Sequence, residues 1–502
     1  MTEALERTAA LDAESRHGCV MPEMAAHLRA ALSPDRVLTD HTRLRTYECD
    51  GLAGYRVVPA LVALPETTEE VAVVVAACAE ARVPYVARGA GTGLSGGALP
   101  VADGVVVSLA RMRRVLDIDL ANQRMTVEPG VTNAEISRAV ARHALYFAPD
   151  PSSQTVCTIG GNIAENSGGA HCLKYGFTTN HVLAMTLVLP DASIVTVGGA
   201  GLEQVGPDLR GAVIGSEGTL AIATSITVRL LRTPETIRTL VADFPSAEAA
   251  GDAVSGIIAA GIVPAAVEML DALAIEACEA AVDAGYSLDT AAALVVELDG
   301  PQAECADAFD AVQLICRDAG TTHVRIAVDP DERLRIWKGR KAAFAAMGRI
   351  SPDYFVQDGV IPRTRLGEAL ARIREMAQES GLCVANVFHA GDGNLHPIVL
   401  YDSAVPGEHE RGERLSGAIA ELCVEMGGSL TGEHGVGTDK ACSMPKMFTS
   451  DDLAVMKRLR SAFDPDGISN PGKVFPTPRL CGERPGPYAP HPLEASGQIE
   501  RL

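Results

Sequence analysis

Basic side chains are scarce in this chain. It has 43 lysine and arginine residues against 64 aspartate and glutamate residues, a formal net charge of −21. The sequence shows no lysine and arginine cluster of a size that would offset this charge locally. An acidic chain of this kind is repelled by phosphate backbones and by anionic lipid surfaces. The sequence therefore predicts no nucleic-acid partner.

Paired cysteines and long apolar runs are also missing. The 12 cysteines form no Cys-x-x-Cys pair, and Cys78, Cys278 and Cys316 stand among apolar residues of helix-like segments. This is typical of reduced, buried thiols and argues against a disulfide framework or an iron–sulfur cluster in this chain. No run of about 18 apolar residues is uninterrupted, and the polar N-terminus does not resemble a signal peptide. We expect a cytoplasmic protein with no membrane span, peripheral to the inner membrane only through a partner.

The length of 502 residues exceeds that of one ordinary domain. Short β-rich runs alternate with capped helices from about Val57, whereas Ala-rich amphipathic helices separated by strands follow Thr233-Pro234. We therefore predict an α+β protein of two domains with the boundary near 233. The predicted segments are a helical N-terminal extension (1–36), a first domain (37–233), a second domain (234–476) and a flexible tail (477–502).

A glycine-rich loop follows the first predicted strand of this pattern, Val83–Arg88. Residues 91–96 match the dinucleotide-binding pattern GxGxxG, which requires a helix directly behind the glycines because the helix N-terminus holds the pyrophosphate. Ala98-Leu99-Pro100 and then the apolar run 105–109 follow instead, so the Rossmann interpretation fails. A glycine-rich loop between two strands can close its backbone N–H groups around an anion such as pyrophosphate. The alternative is a flexible surface loop.

A second glycine-rich region occupies residues 158–180. Gly160-Gly161-Asn162 and Asn166 combine small residues with two amides. Amides can donate and accept toward the edge of a heterocyclic ring, and glycines allow the ring to approach closely. Taken alone, the segment fits a pair of tight turns equally well.

Two histidines flank a hairpin signal in the second domain. Asp392-Gly393 lies between VANVFH and LHPIVL, which favours a two-residue turn. That turn pairs His389 with His396 on one face, with Cβ atoms ~5 Å apart. The pair suits either two ligands of one divalent metal or an ordinary cross-strand contact.

Glu433-His434 lies in the glycine-flanked segment TGEHG. A carboxylate beside an imidazole on an exposed loop can supply a third metal ligand and a general base together. His₂Glu with an open coordination position is a known arrangement for catalytic Zn²⁺, and Mn²⁺ or Fe²⁺ also fit it.

Six motifs occur together in a fixed order: RGAGTGLSGG, PDPSSQTVCTIGGNIAENSGG, GSEGTL, GDGNLH, GEHGVG and FDPDGISNPGKVF. Over roughly 37–476 the chain resembles the FAD-linked oxidases related to vanillyl-alcohol oxidase, in the glycolate oxidase and D-lactate dehydrogenase branch. The resemblance implies a two-part FAD-binding domain of the PCMH type followed by an α+β substrate and metal domain. Between Arg88 and Pro100 there is no His or Cys, so it implies non-covalent FAD.

The resemblance also implies which residues surround FAD. The first loop would hold the pyrophosphate, and the later motifs the rest of the cofactor. These residues are Arg88, Gly89, Ala90, Gly91, Thr92, Gly93, Leu94, Ser95, Gly96, Pro149, Asp150, Ser152, Ser153, Gly160, Gly161, Asn162, Asn166, Gly215, Glu217, Gly218, Thr219 and Asn470.

For the reaction, the resemblance implies hydride transfer from a small D-2-hydroxy acid, glycolate or D-lactate, to flavin N5. It makes His389, His396 and Glu433 ligands of a zinc-like ion and His434 the base. It also makes Arg340 the cation for the substrate carboxylate, since a bidentate Arg–carboxylate pair fixes orientation. A surface charge on a helix is the plain alternative for Arg340.

Other assignments stay open at this stage. Electrons could pass to iron–sulfur or flavin-containing subunits of a glycolate oxidase complex, or to quinone. A D-2-hydroxyglutarate-type dehydrogenase and a non-redox enzyme like alkyl-dihydroxyacetone-phosphate synthase are two alternatives. A third is a non-catalytic FAD-binding subunit that only relays electrons, against which the set His389, His396, Glu433 and His434 argues. Phe344 and Val356 stand where relatives acting on dicarboxylates carry polar residues, which favours a small or apolar substrate.

Overall fold

The computed structural model describes residues 21–52, 54–199, 201 and 206–476. Within the predicted N-terminal extension, residues 21–32 are helical (α1). Residues 1–20 and the whole predicted tail, 477–502, lie outside the described residues. Within the described ranges, no helix combines the length and the apolarity needed to cross a membrane.

The first domain opens with a four-stranded sheet in the order β1-β2-β4-β3, in which β2, β4 and β3 run parallel. Its strands are β1 (Val37–Leu38), β2 (Leu61–Ala63), β3 (Tyr85–Arg88) and β4 (Val105–Ser108), and its helices are α2 (His41–Leu44) and α3 (Thr68–Ala81). Thr67 caps α3 by accepting a hydrogen bond from the backbone N–H of Glu70, as the capping pattern predicts. The apolar face of α3 then packs on this sheet.

A second, antiparallel sheet completes the first domain, in the order β5-β6-β10-β8-β9. Its strands are β5 (Val115–Asp119), β6 (Arg124–Val127), β8 (Val182–Val188), β9 (Ile194–Gly198) and β10 (Ile222–Arg229); β7 (Leu145–Tyr146) pairs with β11 (Leu231–Arg232). The helices are α4 (Asn133–Val140), α5 (Ile159–Glu165), α6 (Cys172–Tyr175) and α7 (Leu209–Val213). The β8–β9 hairpin and the capping box of Thr132 and Glu135 are both present as predicted.

The second domain is built on a large, mainly antiparallel sheet in the order β15-β12-β14-β13-β18-β19-β17; in addition, β20 pairs with β18, and β16 pairs with β20. Its strands are β12 (Thr236–Phe244), β13 (Ala266–Asp271), β14 (Ala292–Gly300), β15 (His323–Ile326), β16 (Asp353–Val356), β17 (Gly359–Val360), β18 (Cys383–His389), β19 (Asn394–Leu395) and β20 (Pro397–Tyr401). One apolar cluster packs α8, α10, α12 and α13 on the sheet, and another packs α9 and α11. The helices are α8 (Ala247–Ala259), α9 (Ala272–Val282), α10 (Gln302–Asp318), α11 (Pro330–Ala346), α12 (Leu366–Ser380), α13 (Glu408–Glu425), α14 (Met444–Met447) and α15 (Ser450–Phe463).

The rejection of a Rossmann unit is confirmed, because the segment between β3 and β4 contains no helix. The prediction of reduced cysteines holds for Cys78, Cys278 and Cys316, which are buried free thiols. It is wrong for Cys442, which is disulfide-bonded. Pairing depends on which segments the fold brings within reach, and spacing along the sequence does not reveal that.

The predicted register of the histidine hairpin is wrong. His389 pairs with Asn394 rather than with His396, so the turn spans four residues instead of two. The reason is that the N–H of Gly391 donates to the carbonyl of Val267 on β13, which takes Gly391 out of the hairpin ladder. His396 consequently falls in the break between β19 and β20.

Candidate active site

One cavity of about 310 Å³ lies where both glycine-rich regions meet the second domain. Glu433 and His434 line it from the second domain. The lining also includes fourteen of the residues predicted to bind FAD: Arg88, Gly89, Ala90, Gly91, Thr92, Gly93, Leu94, Ser152, Ser153, Gly160, Gly161, Asn162, Glu217 and Gly218.

The remaining predicted cofactor residues do not line this cavity. They are Ser95, Gly96, Pro149, Asp150, Asn166, Gly215, Thr219 and Asn470. Several of them support the cavity wall instead. The side-chain amide of Asn470 donates to the carbonyls of Gly97 and Glu217, at 2.9 and 2.6 Å. Asn166 accepts a hydrogen bond from the N–H of Thr179 at 2.9 Å.

Two glycines of the first loop are required by close packing. A Cβ on Gly91, which has φ +70°, would lie within 2.5 Å of the guanidinium of Arg88. A Cβ on Gly89 would lie 2.3 Å from the hydroxyl of Thr158. Burial lowers the pKa of Arg88, but an arginine keeps its proton far above neutral pH. The loop therefore holds one buried positive charge at the cavity wall.

Three side chains of the second domain converge despite the altered hairpin register. The rings of His389 and His396 are 5.1 Å apart and nearly perpendicular. Nε2 of His389 lies 3.1 Å, and Nε2 of His396 lies 3.4 Å, from Oε1 of Glu433. One ligand atom from each residue falls within 4.8 Å of the other two. This arrangement could hold a divalent metal. Asp358, His396 and His434 form a second, overlapping group of the same kind.

A carboxylate on β13 holds His389 from behind. Oε1 of Glu268 lies 2.7 Å from Nδ1 of His389, and Oε2 accepts from Nε of Arg340 at 2.6 Å. Burial alone would lower the pKa of His389, but Glu268 and Glu433 outweigh it and raise that pKa well above its usual range. Metal-ligating histidines commonly have such a carboxylate on the other ring nitrogen.

Arg340, the predicted cation for the substrate carboxylate, does not line the cavity. It is buried, with 2 % of its surface exposed, and its guanidinium pairs with Glu268. This places Arg340 behind His389, where its charge balances the carboxylate that holds the imidazole. Its contact with a substrate stays a prediction.

His434 lies at the cavity wall against His396. The two rings stack with their centroids 4.9 Å apart and 7° between their planes. Nδ1 of His434 is buried and has no hydrogen-bond partner. Burial lowers the pKa of His434 to about 4. The imidazole is therefore neutral at physiological pH and can accept a proton.

One carboxylate, Glu217, links the domains beside the cavity, and a second, Glu165, is buried next to it. Glu217 of the first domain accepts hydrogen bonds from the N–H groups of Val436 and Gly437, each at 2.7 Å. Burial raises the pKa of Glu217 to about 6, and burial with the charge of Glu217 raises the pKa of Glu165 well above its usual range. The segment that follows His434 is thus fixed to the first domain.

Another interdomain contact, which we call the bridging cluster, contains Asp150, His171, Glu297, Arg333 and Trp337. Nδ1 of His171 lies 3.0 Å from Asp150, and Nε2 lies 3.2 Å from Glu297. Glu297 also accepts from Arg333 and from the indole of Trp337, at 2.7 Å each. The predicted cofactor residue Asp150 therefore belongs to an ion-pair network between the domains.

Sequence reasoning missed Glu268, Glu297 and Asp358. The first two carry a signal that could have found them, because each is a charged residue in the interior of a mainly apolar strand. A charge at a buried position needs a partner. Asp358 precedes a two-residue strand in a short irregular segment, which offers no comparable pattern.

Comparisons with known proteins agree with this architecture. Residues 59–198 match the family described as FAD binding domain, and residues 233–474 match FAD linked oxidases, C-terminal domain. The fold is similar to that of p-cresol methylhydroxylase with substrate bound, with a TM-score of 0.75 and 18 % identity over 91 % of this chain and 96 % of that one.

Relatives in sequence cover most of the chain. The glycolate oxidase subunit GlcD of Escherichia coli (strain K12) is 50 % identical over 456 residues, 91 % of this chain and 91 % of that protein. The mitochondrial D-lactate dehydrogenase [cytochrome] of Arabidopsis thaliana is 32 % identical over 84 % of this chain and 74 % of that protein. The chain therefore belongs to the FAD-linked oxidases.

Proposed function

We propose that this chain uses FAD to oxidise a small D-2-hydroxy acid, glycolate or D-lactate, to the 2-oxo acid. The observation that carries the proposal is the shared cavity, which glycine loops line on one side and Glu433 and His434 on the other. The relatives named glycolate oxidase subunit and D-lactate dehydrogenase support this substrate class.

FAD would be held without a covalent bond by the cavity-lining residues of the first domain. Arg88 and the N–H groups of residues 89–93 suit the pyrophosphate, since both favour an anion. Ser152, Gly161 and Asn162 would lie along the rest of the cofactor. Cys157 also lines the cavity, but burial raises the pKa of its thiol, which disfavours the reactive thiolate.

A divalent metal such as Zn²⁺ fits the second domain's side of the cavity. Nδ1 and Nε2 of His396 and Nδ1 of His434 are buried without hydrogen-bond partners. Unsatisfied buried polar atoms are rare in folded proteins and call for a missing partner. His389, His396 and Glu433 would hold the metal, with Glu268 orienting His389 from behind.

In the proposed mechanism, FAD held by the first domain would supply the hydride acceptor for C2, and a metal held by His389, His396 and Glu433 would supply a Lewis acid for the substrate hydroxyl. His434 removes the proton of the 2-hydroxyl, for which the neutral imidazole is suited. The stack on His396 holds its ring at the cavity wall. The hydrogen bonds from Val436 and Gly437 to Glu217 fix the segment that follows His434.

The cavity favours a small substrate. Phe344, Tyr354 and Val356 line it beside His434, and apolar walls do not stabilise a second carboxylate. Among the residues that line the cavity, Arg88 is the one lysine or arginine. This supports glycolate or D-lactate over D-2-hydroxyglutarate, and it gives a phosphate-bearing substrate of the alkyl-dihydroxyacetone-phosphate synthase type little to bind.

The proposal also includes the acceptor that takes electrons from the reduced flavin. The relative from Escherichia coli is named as a subunit, which supports the existence of partner subunits. We propose that these partners carry iron–sulfur or flavin groups, with quinone as the alternative acceptor. A cytoplasmic location, with membrane attachment through such a partner, is part of the same proposal.

Anaerobic mixing of the FAD-loaded protein with candidate acids tests the function directly. Glycolate or D-lactate should bleach the oxidised flavin within seconds, whereas L-lactate and D-2-hydroxyglutarate should react far more slowly. The proposal is wrong if neither small D-2-hydroxy acid bleaches the flavin. Preferential bleaching by D-2-hydroxyglutarate would replace the substrate class.

A further inference from the structure

The side chain of Asp358 is fully buried behind the segment that carries Glu433 and His434. Its Oδ2 accepts hydrogen bonds from the backbone N–H groups of Gly432, Glu433 and His434, at 2.9, 3.0 and 2.8 Å. The hydroxyl of Thr431 donates to the same oxygen at 2.5 Å. One carboxylate oxygen thus receives four donors from four consecutive residues.

This segment has few other means of holding its shape. Residues 430–435 form neither helix nor strand, so no regular ladder fixes their backbone. Gly432 and Gly435 have no side chains to anchor them, and a Cβ on either would lie within 2.4 Å of Asn394 or Glu165. Gly432 also donates to the backbone carbonyl of Asp358, and Gly435 donates to the hydroxyl of Thr431. The Asp358 carboxylate is the acceptor that the N–H groups of residues 432–434 share, so it is the main side-chain constraint on where Glu433 and His434 point.

Asp358 itself is a poor candidate for a metal ligand. Its Oδ2 is enclosed by donors, and a cation at that oxygen would face the hydrogens of three N–H groups. Its Oδ1 lies 3.3 Å from Nε2 of His396. The ammonium of Lys440, itself buried, lies 3.8 Å from Oδ2. The positive charge of Lys440 and the N–H donors of the segment stabilise the negative charge of Asp358 where it stands.

We propose that Asp358 is the positioning residue of this site: its carboxylate fixes the backbone of residues 431–434 so that Glu433 faces His389 and His396 while His434 faces the cavity. The inference rests on the proposed function for its kinetic effect, but it concerns a contact that neither substrate nor cofactor makes. Residues that orient a functional group in this way commonly change activity or metal affinity by roughly 10–100-fold when replaced.

Asp358→Asn keeps the size of the side chain and removes its charge, and Asp358→Ala removes both side-chain oxygens. We expect the limiting rate of flavin reduction per bound FAD to fall roughly 10–100-fold in Asp358→Asn, and further in Asp358→Ala. Zn²⁺ retained after dialysis against a chelator should fall in the same order. Asp271→Asn is the matched control, because Asp271 also accepts N–H bonds, from Ala274 and Asn386, and does not line the cavity.

A second pair of variants separates positioning from metal ligation. Thr431→Val removes the hydroxyl that donates to Asp358 at nearly constant size, and Thr431→Ser retains it. Thr431→Val should lower the reduction rate several-fold in the same direction as Asp358→Asn, and Thr431→Ser should restore it. If Thr431→Val equals wild type while Asp358→Asn loses Zn²⁺, Asp358 is a ligand and the positioning role is overturned.

The remaining outcomes decide between this inference and the proposed function. A wild-type rate per bound FAD in Asp358→Asn overturns the inference, even if the FAD content and thermal stability of the variant fall. If no 2-hydroxy acid reduces the wild-type flavin, the proposed function fails. In that case Zn²⁺ retention by the Asp358 and Thr431 variants still decides whether Asp358 positions the segment.

Discussion

Two buried groups of histidines and carboxylates lie near the domain boundary, and they differ in how completely their polar atoms are satisfied. In the bridging cluster, both ring nitrogens of His171 face carboxylate oxygens at 3.0 and 3.2 Å. In the second group, which we call the cavity cluster (Asp358, His389, His396, Glu433 and His434), His396 and His434 keep ring nitrogens without hydrogen-bond partners.

This difference separates a structural cluster from a functional one. Saturated charges hold two surfaces together and have nothing left to offer a ligand. Unsatisfied buried nitrogens destabilise the fold unless a ligand completes them. Changes in the cavity cluster should therefore affect chemistry first, and changes in the bridging cluster should affect stability first.

The largest expected effect follows from His434→Ala. We expect flavin reduction by glycolate or D-lactate to slow by roughly 10²–10⁴-fold, because the proton acceptor is lost. FAD binding and thermal stability should stay near wild type. Stopped-flow absorbance of the flavin measures this, with His409→Ala, on α13 outside the cavity, as the control. Normal reduction by His434→Ala would remove His434 from the mechanism.

Glu433→Gln should have the second-largest effect. It replaces a negative ligand by a neutral amide, so we expect Zn²⁺ content to fall and flavin reduction to slow by roughly 10–100-fold. Treatment of the wild type with a chelator should slow reduction similarly, and added Zn²⁺ should restore it. Elemental analysis with stopped flow checks both effects, against the exposed Glu304→Gln. Full activity in metal-free protein would contradict the metal site.

His171→Asn tests the expectation that the bridging cluster contributes to stability rather than to chemistry. We expect the free energy of unfolding to fall by about 1–3 kcal/mol, because the charged hydrogen bonds to Asp150 and Glu297 are lost. The rate of flavin reduction per bound FAD should not change. Denaturant titration and stopped flow measure the two quantities, with the largely exposed His323→Asn as the control. A large loss of reduction rate at unchanged stability would place His171 in the chemistry.

The smallest expected effect is the pH dependence of the difference in stability between wild type and His171→Asn. Burial would lower the pKa of His171, but Asp150 and Glu297 raise it to about 10 in the folded protein. A raised pKa means that the stabilisation is complete below about pH 6.5, the usual histidine value. It is then lost as the pH rises toward 10. The gap between the melting temperatures of wild type and His171→Asn should therefore narrow from pH 6.5 to 9.5; a constant gap would contradict the charged state.

Local sequence signals predicted much of the fold. The capping patterns correctly predicted the helix starts at Thr67 and Thr132. The residues that follow the first glycine loop correctly excluded a Rossmann unit. Both predictions succeeded because they depend on residues that are close together in the sequence. The register of the histidine hairpin could not be predicted, since a hydrogen bond to the distant Val267 decides it. His389 and His396 still converge through side-chain reach and their shared partner Glu433.

The supporting residues of the candidate site were harder to predict. Asp358 and Glu433 are 75 positions apart, and only the folded sheet brings them together. The sequence predicts a cation at Arg340 for the substrate, but it does not show that the guanidinium pairs with Glu268. Charges that lie on separate strands and helices pair in three dimensions, and one-dimensional spacing carries little information about such pairs.

The hydrogen bonds from Val436 and Gly437 to Glu217 bear on how the two domains can evolve. The carbonyl of Ser95, in the first glycine loop, also accepts from the N–H groups of Thr438 and Asp439. The segment around and after His434 is therefore held by hydrogen bonds to its own domain on one side and to the first domain on the other. Exchanging either domain for that of a distant relative should give an active chimera only when Glu217, Ser95 and residues 431–439 are inherited as one unit.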